Sequence, residues 1–147
     1  MIVRSYEEGD REAVIALWKA CGLSRAWNDA GRDIDRKRTV QPELFLVGLE
    51  EGTLVATAMA GFEGHRGWVN YLGVDPDHQR HGYGTRMMQA AEEALRRVGA
   101  PKVNLQVRSG NDAAVAFYRA LGYEIEERVS LGKRLVSDNA SNGGSQP

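Results

Sequence analysis

Only one cysteine, Cys21, stands in the 147 residues, so no internal disulfide can form and a reducing, cytoplasmic compartment is expected. On the apolar face of a predicted helix, that cysteine serves equally as a small hydrophobe. A charge surplus is also missing: 19 Lys and Arg face 20 Asp and Glu, without the basic excess of a nucleic-acid surface. No apolar run reaches membrane-spanning length, and Met1 to Ser5 leads straight into charged residues, so neither a membrane span nor a secretory leader is expected. The histidines His65, His78 and His81 show no ligand spacing with Cys21, and no metal is expected. Repeats and a second domain are absent too. At this length one core and one domain are expected, over residues 1 to 136.

What is present alternates between strand and helix patterns. Ile2 to Arg4 reads as a short strand, and Asp10 as the cap of a helix carrying Val14, Trp18 and Cys21 at helical spacing. Residues 23 to 41 are polar and irregular, with a short helix around Asp33 to Arg38. Strands follow at Leu44 to Leu49 and Leu54 to Phe62, joined tightly across Glu51-Gly52. Trp68 to Val74 is a further strand, ended by Asp75-Pro76. Gly84 to Val98 is an amphipathic helix, Val103 to Val107 a strand, and Ala113 to Leu121 a helix capped by Asn111 or Asp112. Tyr123 to Leu135 holds two last strands. The tail Ser137 to Pro147 has no large apolar residue and is expected to be disordered. The order is that of a mixed α/β domain.

The stretch Leu72 to Gly84, with Gln79-Arg80-His81-Gly82-Tyr83-Gly84 running into a helix, suits a phosphate anion. Small residues let backbone amides approach oxygens, first-turn N–H groups lack intrahelical partners, and Arg80 adds a charge. A dinucleotide fingerprint would need glycine where Met87 stands, and a triphosphate loop would need Ser or Thr where Arg134 follows Gly132-Lys133. A plain glycine-containing helix start without ligand remains the alternative.

Gln79, Gly82 and Gly84 stand in the pattern of an Arg or Gln, two residues, Gly, one residue, then Gly or Ala. In this the chain resembles the GNAT superfamily of N-acetyltransferases. The block Asn111 to Tyr123, with Phe117-Tyr118 and Leu121-Gly122-Tyr123, is similar to a later helix of that family. Trp27-Asn28-Asp29, Gly64 to Gly67 and Ser130 to Leu135 further resemble a group of small bacterial acetyltransferases. The resemblance implies a central mixed, mostly antiparallel sheet flanked by helices, whose central strands splay apart to take acetyl-CoA as cosubstrate. It implies that Leu72, Gly73 and Val74 offer backbone groups to the pantetheine arm. It implies also that Gln79, Arg80, His81, Gly82, Tyr83, Gly84 and Thr85 cradle the pyrophosphate, that Asn111 reaches the cofactor arm and that Tyr118 sits beside the sulfur.

The implied reaction is transfer of an acetyl group to a primary amine in a ternary complex; a non-catalytic acyl-CoA-binding or sensor domain of the same fold is the alternative. A phenol with an ordinary pKa of ~10 can protonate a departing thiolate, which gives Tyr118 the role of acid. Glu63 and His65, in a turn between strands, are the candidates for general base, with a solvated turn as the alternative. Gln106 stands where ribosomal-protein acetyltransferases of the family carry a catalytic Glu, and an amide cannot take the ammonium proton. Trp27, Asp29 and Asp33, with Tyr71 from the strand, are expected on the acceptor side, where carboxylates beside an aromatic face would suit a cationic amine. An edge strand from Ser130 to Leu135 would be available for pairing in a homodimer.

Overall fold

A computed structural model of the chain describes residues 1–138. Five strands form one sheet in sequence order: β1 (Ile2–Ser5), β2 (Phe45–Glu50), β3 (Thr53–Phe62), β4 (Gly67–Val74) and β5 (Val103–Asn104). The first four pair antiparallel, and β5 runs parallel to β4. The β2–β3 turn bends at Glu51 and Gly52, whose φ angles of 49° and 80° are those of a tight hairpin turn that twists with its strands.

Helices cover both faces. On one side α3 (Tyr83–Arg97) buries Met87, Met88, Ala91 and Leu95 against Leu46, Val55, Ala56, Ala58 and Val69. Each large side chain so buried contributes roughly 1.5–3 kcal/mol. On the other side α1 (Arg11–Ala20) and α2 (Ala30–Arg38) close a second core of Val14, Trp18, Ile34, Phe45 and Val47. Strand β2 feeds both cores with alternate residues, so its run Phe45–Gly48 is buried throughout. The last helix, α4 (Asp112–Ala120), is capped by the Asn111 side chain, which accepts from the Ala114 N–H at 3.2 Å.

Several expectations are corrected. Asp10 stands at the N-cap of α1 but makes no side-chain cap bond: its carboxylate takes both arms of the Arg4 guanidinium, at 2.8 and 3.0 Å, and the Glu7 N–H. The second helix begins at Ala30 rather than Asp33, because Asp29 accepts the Arg32 N–H at 3.0 Å and caps it. Strand β5 stops at Asn104 instead of reaching Val107. Among the described residues no strand forms between Tyr123 and Leu135. Alternation makes a strand only where a partner edge exists, and β5 is two residues long. Side chains hold this segment instead: Glu126 joins Lys102 and Asn104, and Ser130 accepts from Gln106 at 2.6 Å. The edge strand expected at Ser130 to Leu135 is therefore absent from the described residues. Of the expected tail, Asp138 is only 5% exposed and ion-paired, while residues 139–147 lie outside the described ones.

Candidate active site

The site begins where β4 ends. Asp75 turns the chain out of the sheet: its carboxylate accepts the Asp77 N–H at 2.8 Å and its carbonyl the His78 N–H at 2.8 Å. Arg80 (φ 67°) and Gly82 (φ 76°) then swing the backbone into α3. Gly82 is the N-cap and has no side chain to offer, so among the described residues no side chain caps the first-turn N–H groups. The positive end of a 15-residue helix faces outward here, and Arg80, exposed, forms no ion pair among the described residues. These groups fit a phosphate.

Not every residue of the loop faces outward. The Tyr83 hydroxyl donates to Glu50, and Glu50 also pairs with the amino terminus at 3.2 Å, pinning the start of α3 to β2. Gly84 packs inward, because a Cβ there would stand 3.2 Å from Cζ of Phe117 on α4. Gln79, Arg80, His81, Gly82 and Thr85 stay together at the helix start, with the Gln79 amide reaching back to the Val74 carbonyl at 3.3 Å.

Beside this loop the sheet opens. Strands β4 and β5 pair only at Gly67–Val103 and Trp68–Asn104, so beyond Trp68 the outer edge of β4 has no strand beside it among the described residues. The Asp75 N–H bonds Val55 at 2.8 Å, which makes Val74 and Ala56 the adjacent non-hydrogen-bonded pair. The N–H and C=O of Val74 therefore point to the open edge, where the carbonyl also receives the Cys21 thiol at 3.2 Å. A bulge lies just before it: Thr57 faces Gly73 and Met59 faces Asn70, leaving Tyr71 and Leu72 opposite Ala58 alone. Tyr71 carries a φ of 53°, a conformation that costs a tyrosine about 1–3 kcal/mol. Its ring stacks on Trp18 at 3.8 Å, and its carbonyl accepts from the Thr57 hydroxyl at 2.8 Å, which together hold it there.

The splayed strands, α4 and the segment after it enclose an open cleft of about 1690 Å³, lined by Trp68, Asn70, Gln106, Arg108, Tyr118 and Ser130 among others. The Tyr118 hydroxyl has no hydrogen-bond partner among the described residues, while its ring is held edge-on by Phe117 at 5.0 Å and Tyr123 at 5.8 Å. Burial pushes its pKa above the ordinary 10.0, so the phenol is neutral and holds its proton at pH 7. Since Asn111 spends its oxygen on capping α4, its amide NH2 is the end left for a ligand.

Glu63, His65, Asp29 and Asp33 are not brought to this opening. Glu63 and His65 lie at the start of β4, the end opposite the loop. The Glu63 carboxylate accepts the N–H groups of Arg66, at 2.6 Å, and of His65, and these bonds hold its pKa below the usual carboxylate range. On the α1–α2 side, Asp29 is consumed as a cap, and Asp33 takes Arg36 at 2.9 Å and the Tyr71 hydroxyl at 2.6 Å. Trp27 meets the Arg108 guanidinium at 5.7 Å. One residue the sequence reading missed joins this wall. Asp138 accepts the Asp29 N–H at 2.9 Å and pairs with Arg36 and Arg134, reaching back more than 100 positions, a contact no local pattern announces. Arg134 in turn donates to Asn28 and to the Trp27 carbonyl.

Among the described residues no three His, Cys, Asp or Glu side chains gather as metal ligands, and no helix is long and apolar enough to cross a membrane.

Residues 10–123 match the model of the acetyltransferase (GNAT) family. An acetyltransferase of Yersinia pestis (strain Pestoides F) is 44% identical over 138 residues, covering 94% of this chain and 98% of its own. The fold is similar to the ribosomal-protein-S18-alanine N-acetyltransferase of Escherichia coli, with a TM-score of 0.70 at 24% identity, over 82% of this chain and 76% of that one. It is similar also to an aminoglycoside 6'-N-acetyltransferase of Acinetobacter haemolyticus, with a TM-score of 0.71 at 15% identity, over 93% and 100%. At those identities the two structures speak for the fold and not for an acceptor.

Proposed function

Because this chain belongs to the acetyltransferase (GNAT) family and is an acyltransferase, we propose that it moves an acetyl group from acetyl-CoA to a primary amine by direct attack in a ternary complex. The observation that carries this reading is the unpaired edge of β4 running straight into an anion-ready helix start, where the Gly82 turn exposes amides beside the unpaired Arg80. A ligand with a pyrophosphate at one end and an amide-bearing arm at the other matches both halves. Gln79, Arg80, His81, Gly82 and Thr85 would hold the phosphates. Val74 and, within the bulge, Leu72 would hold the arm as an added strand, while Gly73, paired with Thr57, turns its own backbone groups to β3.

When bound, acetyl-CoA supplies an activated thioester. The chain's own task is then to stabilise developing negative charge and to move protons. The Val74 N–H, turned to the open edge, is the donor for the oxyanion. Tyr118 is the donor for the departing thiolate: it lines the cleft, its hydroxyl makes no hydrogen bond among the described residues, and it keeps its proton. The first proton, from the ammonium form of the acceptor, goes to solvent in the open cleft, because Glu63 is bonded into its own turn at the other end of β4.

Thiol release from acetyl-CoA, measured across an amine panel, tests the reading. Release that depends on an added amine supports it. A thermal shift with CoA but no amine-dependent release would replace it with a binding domain.

A further inference from the structure

Around the α1–α2 wall the carboxylates are already spoken for: Asp29 by a backbone amide, Asp33 by Arg36 and Tyr71, Asp35 by Arg11, and Asp138 by Arg36 and Arg134. A second positive charge on the acceptor would find no free partner among these four. The arginines of the wall are not equally occupied. Arg36 and Arg134 are paired, and Arg32 donates to the Asp138 carbonyl at 3.2 Å. Arg108 is exposed, lines the same cleft as Tyr118, and makes no hydrogen bond or ion pair through its guanidinium with another described residue. Its one contact of note is the face of Trp27, 5.7 Å from the ring centre.

We infer that the acceptor amine carries a carboxylate, and that Arg108, steadied on Trp27, receives it. A guanidinium resting on an aromatic face keeps its edge donors free, and that edge matches a carboxylate with two parallel hydrogen bonds. Trp27 is itself fixed, since its carbonyl and the Asn28 side chain are both held by Arg134. The lining groups Asn28, Asn70 and Gln106 are uncharged amides; Arg119 and Arg128 also line the cleft, but without the Trp27 face that steadies Arg108. No residue from Gln79 to Thr85 lines this cleft, so the positive charge at Trp27 is separate from the one at Arg80. Arg108 is thus a specificity residue within the acyl-transfer reading, on which this inference rests.

The test uses the full chain, saturating acetyl-CoA and matched pairs of acceptors: an amino acid and its carboxamide. A carboxamide lowers the pKa of the neighbouring amine and so raises its reactive fraction, which works against the expected result. We expect kcat/KM to be at least about tenfold higher for the carboxylate member, the scale of one charge-assisted pair. Arg108→Gln should bring the ratio close to one, Arg108→Lys should recover part of it, and Arg108→Glu should invert it. A thermal melt of each variant checks that it folds. Amine-dependent release without preference within the pairs overturns the inference and leaves the acyl-transfer reading standing. So does an Arg108→Gln variant whose only change is a higher KM for acetyl-CoA, which would assign the residue to the cofactor. No release with any amine overturns both.

Discussion

The Tyr71 hydroxyl donates to Asp33 at 2.6 Å, joining the bulge of β4 to the first turn of α2. The bond does two things. It gives a half-buried phenol, whose pKa burial raises and the bond to Asp33 raises further, a charged acceptor, and it helps hold the strained Tyr71 backbone that aims the edge of β4. Tyr71→Phe keeps the stacking on Trp18 and removes only the hydroxyl. We expect a loss of about 1–2 kcal/mol in denaturant unfolding, below the full value of a charged hydrogen bond because Asp33 retains Arg36. A neutral result would mean that the ring alone sets the bulge.

Two glycines of one motif should fail differently. Gly82 stands at φ 76° with no atom within 4 Å of an added Cβ, so Gly82→Ala meets only backbone strain, about 1–2 kcal/mol, at the turn that exposes the amides. Gly84→Ala drives a methyl to 3.2 Å from the Phe117 ring, where overpacking costs roughly 1–3 kcal/mol. The first variant should raise the KM for acetyl-CoA more than the second, and the second alone should be rescued by Phe117→Leu. Equal rescue of both by that partner change would refute the distinction.

That contrast marks what could be read in the sequence. The spacing of Met87, Met88, Ala91 and Leu95 announces α3, and Glu51-Gly52 announces its hairpin, because both signals are local. The motif spacing drew attention to Gly84, yet its stated reason, room for a ligand, differs from the packing against Phe117 that the structure shows. Nothing in a tyrosine signals a positive φ, so the bulge at Tyr71 was invisible. Alternation at Tyr123 to Leu135 read as strands, but alternation does not supply an edge to pair with. Asp138 belonged to a polar tail by composition and to the α2 wall by ion pairs made across the whole chain.

Tyr118→Phe removes one proton and keeps the ring that Phe117 and Tyr123 hold edge-on. Turnover should fall by at least about tenfold, within the range one general acid contributes, while the KM for acetyl-CoA moves little. Because burial raises the phenol's pKa above 10.0, the wild-type rate should show no loss of this acid below pH 10. Unchanged turnover in the variant would remove Tyr118 from the mechanism.

Asp138 makes stability depend on pH in one direction. Arg36 and the Asp29 N–H hold its carboxyl well below the usual carboxylate range, so the folded chain binds that proton less readily than the unfolded one. The contribution is complete above the unfolded pKa of ~3.9 and is lost as the pH falls below it. Asp138→Asn should lower stability by about 1–3 kcal/mol at pH 7. The gap between wild type and variant should stay level from pH 8 to 5 and narrow below 4. A gap that stays constant down to acid unfolding would mean the ion pairs contribute nothing.

The remaining prediction concerns the first proton. Glu63 accepts two backbone N–H groups of its own turn, and its lowered pKa makes it a weaker base than a free carboxylate. A residue so held, at the end of β4 away from Val74, is not the base that this reading assigns to an amine attacking beside Tyr118. Without a protein base, kcat/KM should climb with pH as the neutral fraction of the acceptor climbs, and its midpoint should follow the acceptor's own pKa from one amine to the next. Glu63→Gln, which keeps an oxygen for the two N–H groups, should leave that profile in place. A midpoint that stays the same for all acceptors and is abolished by His65→Gln would restore the turn as the site of the base.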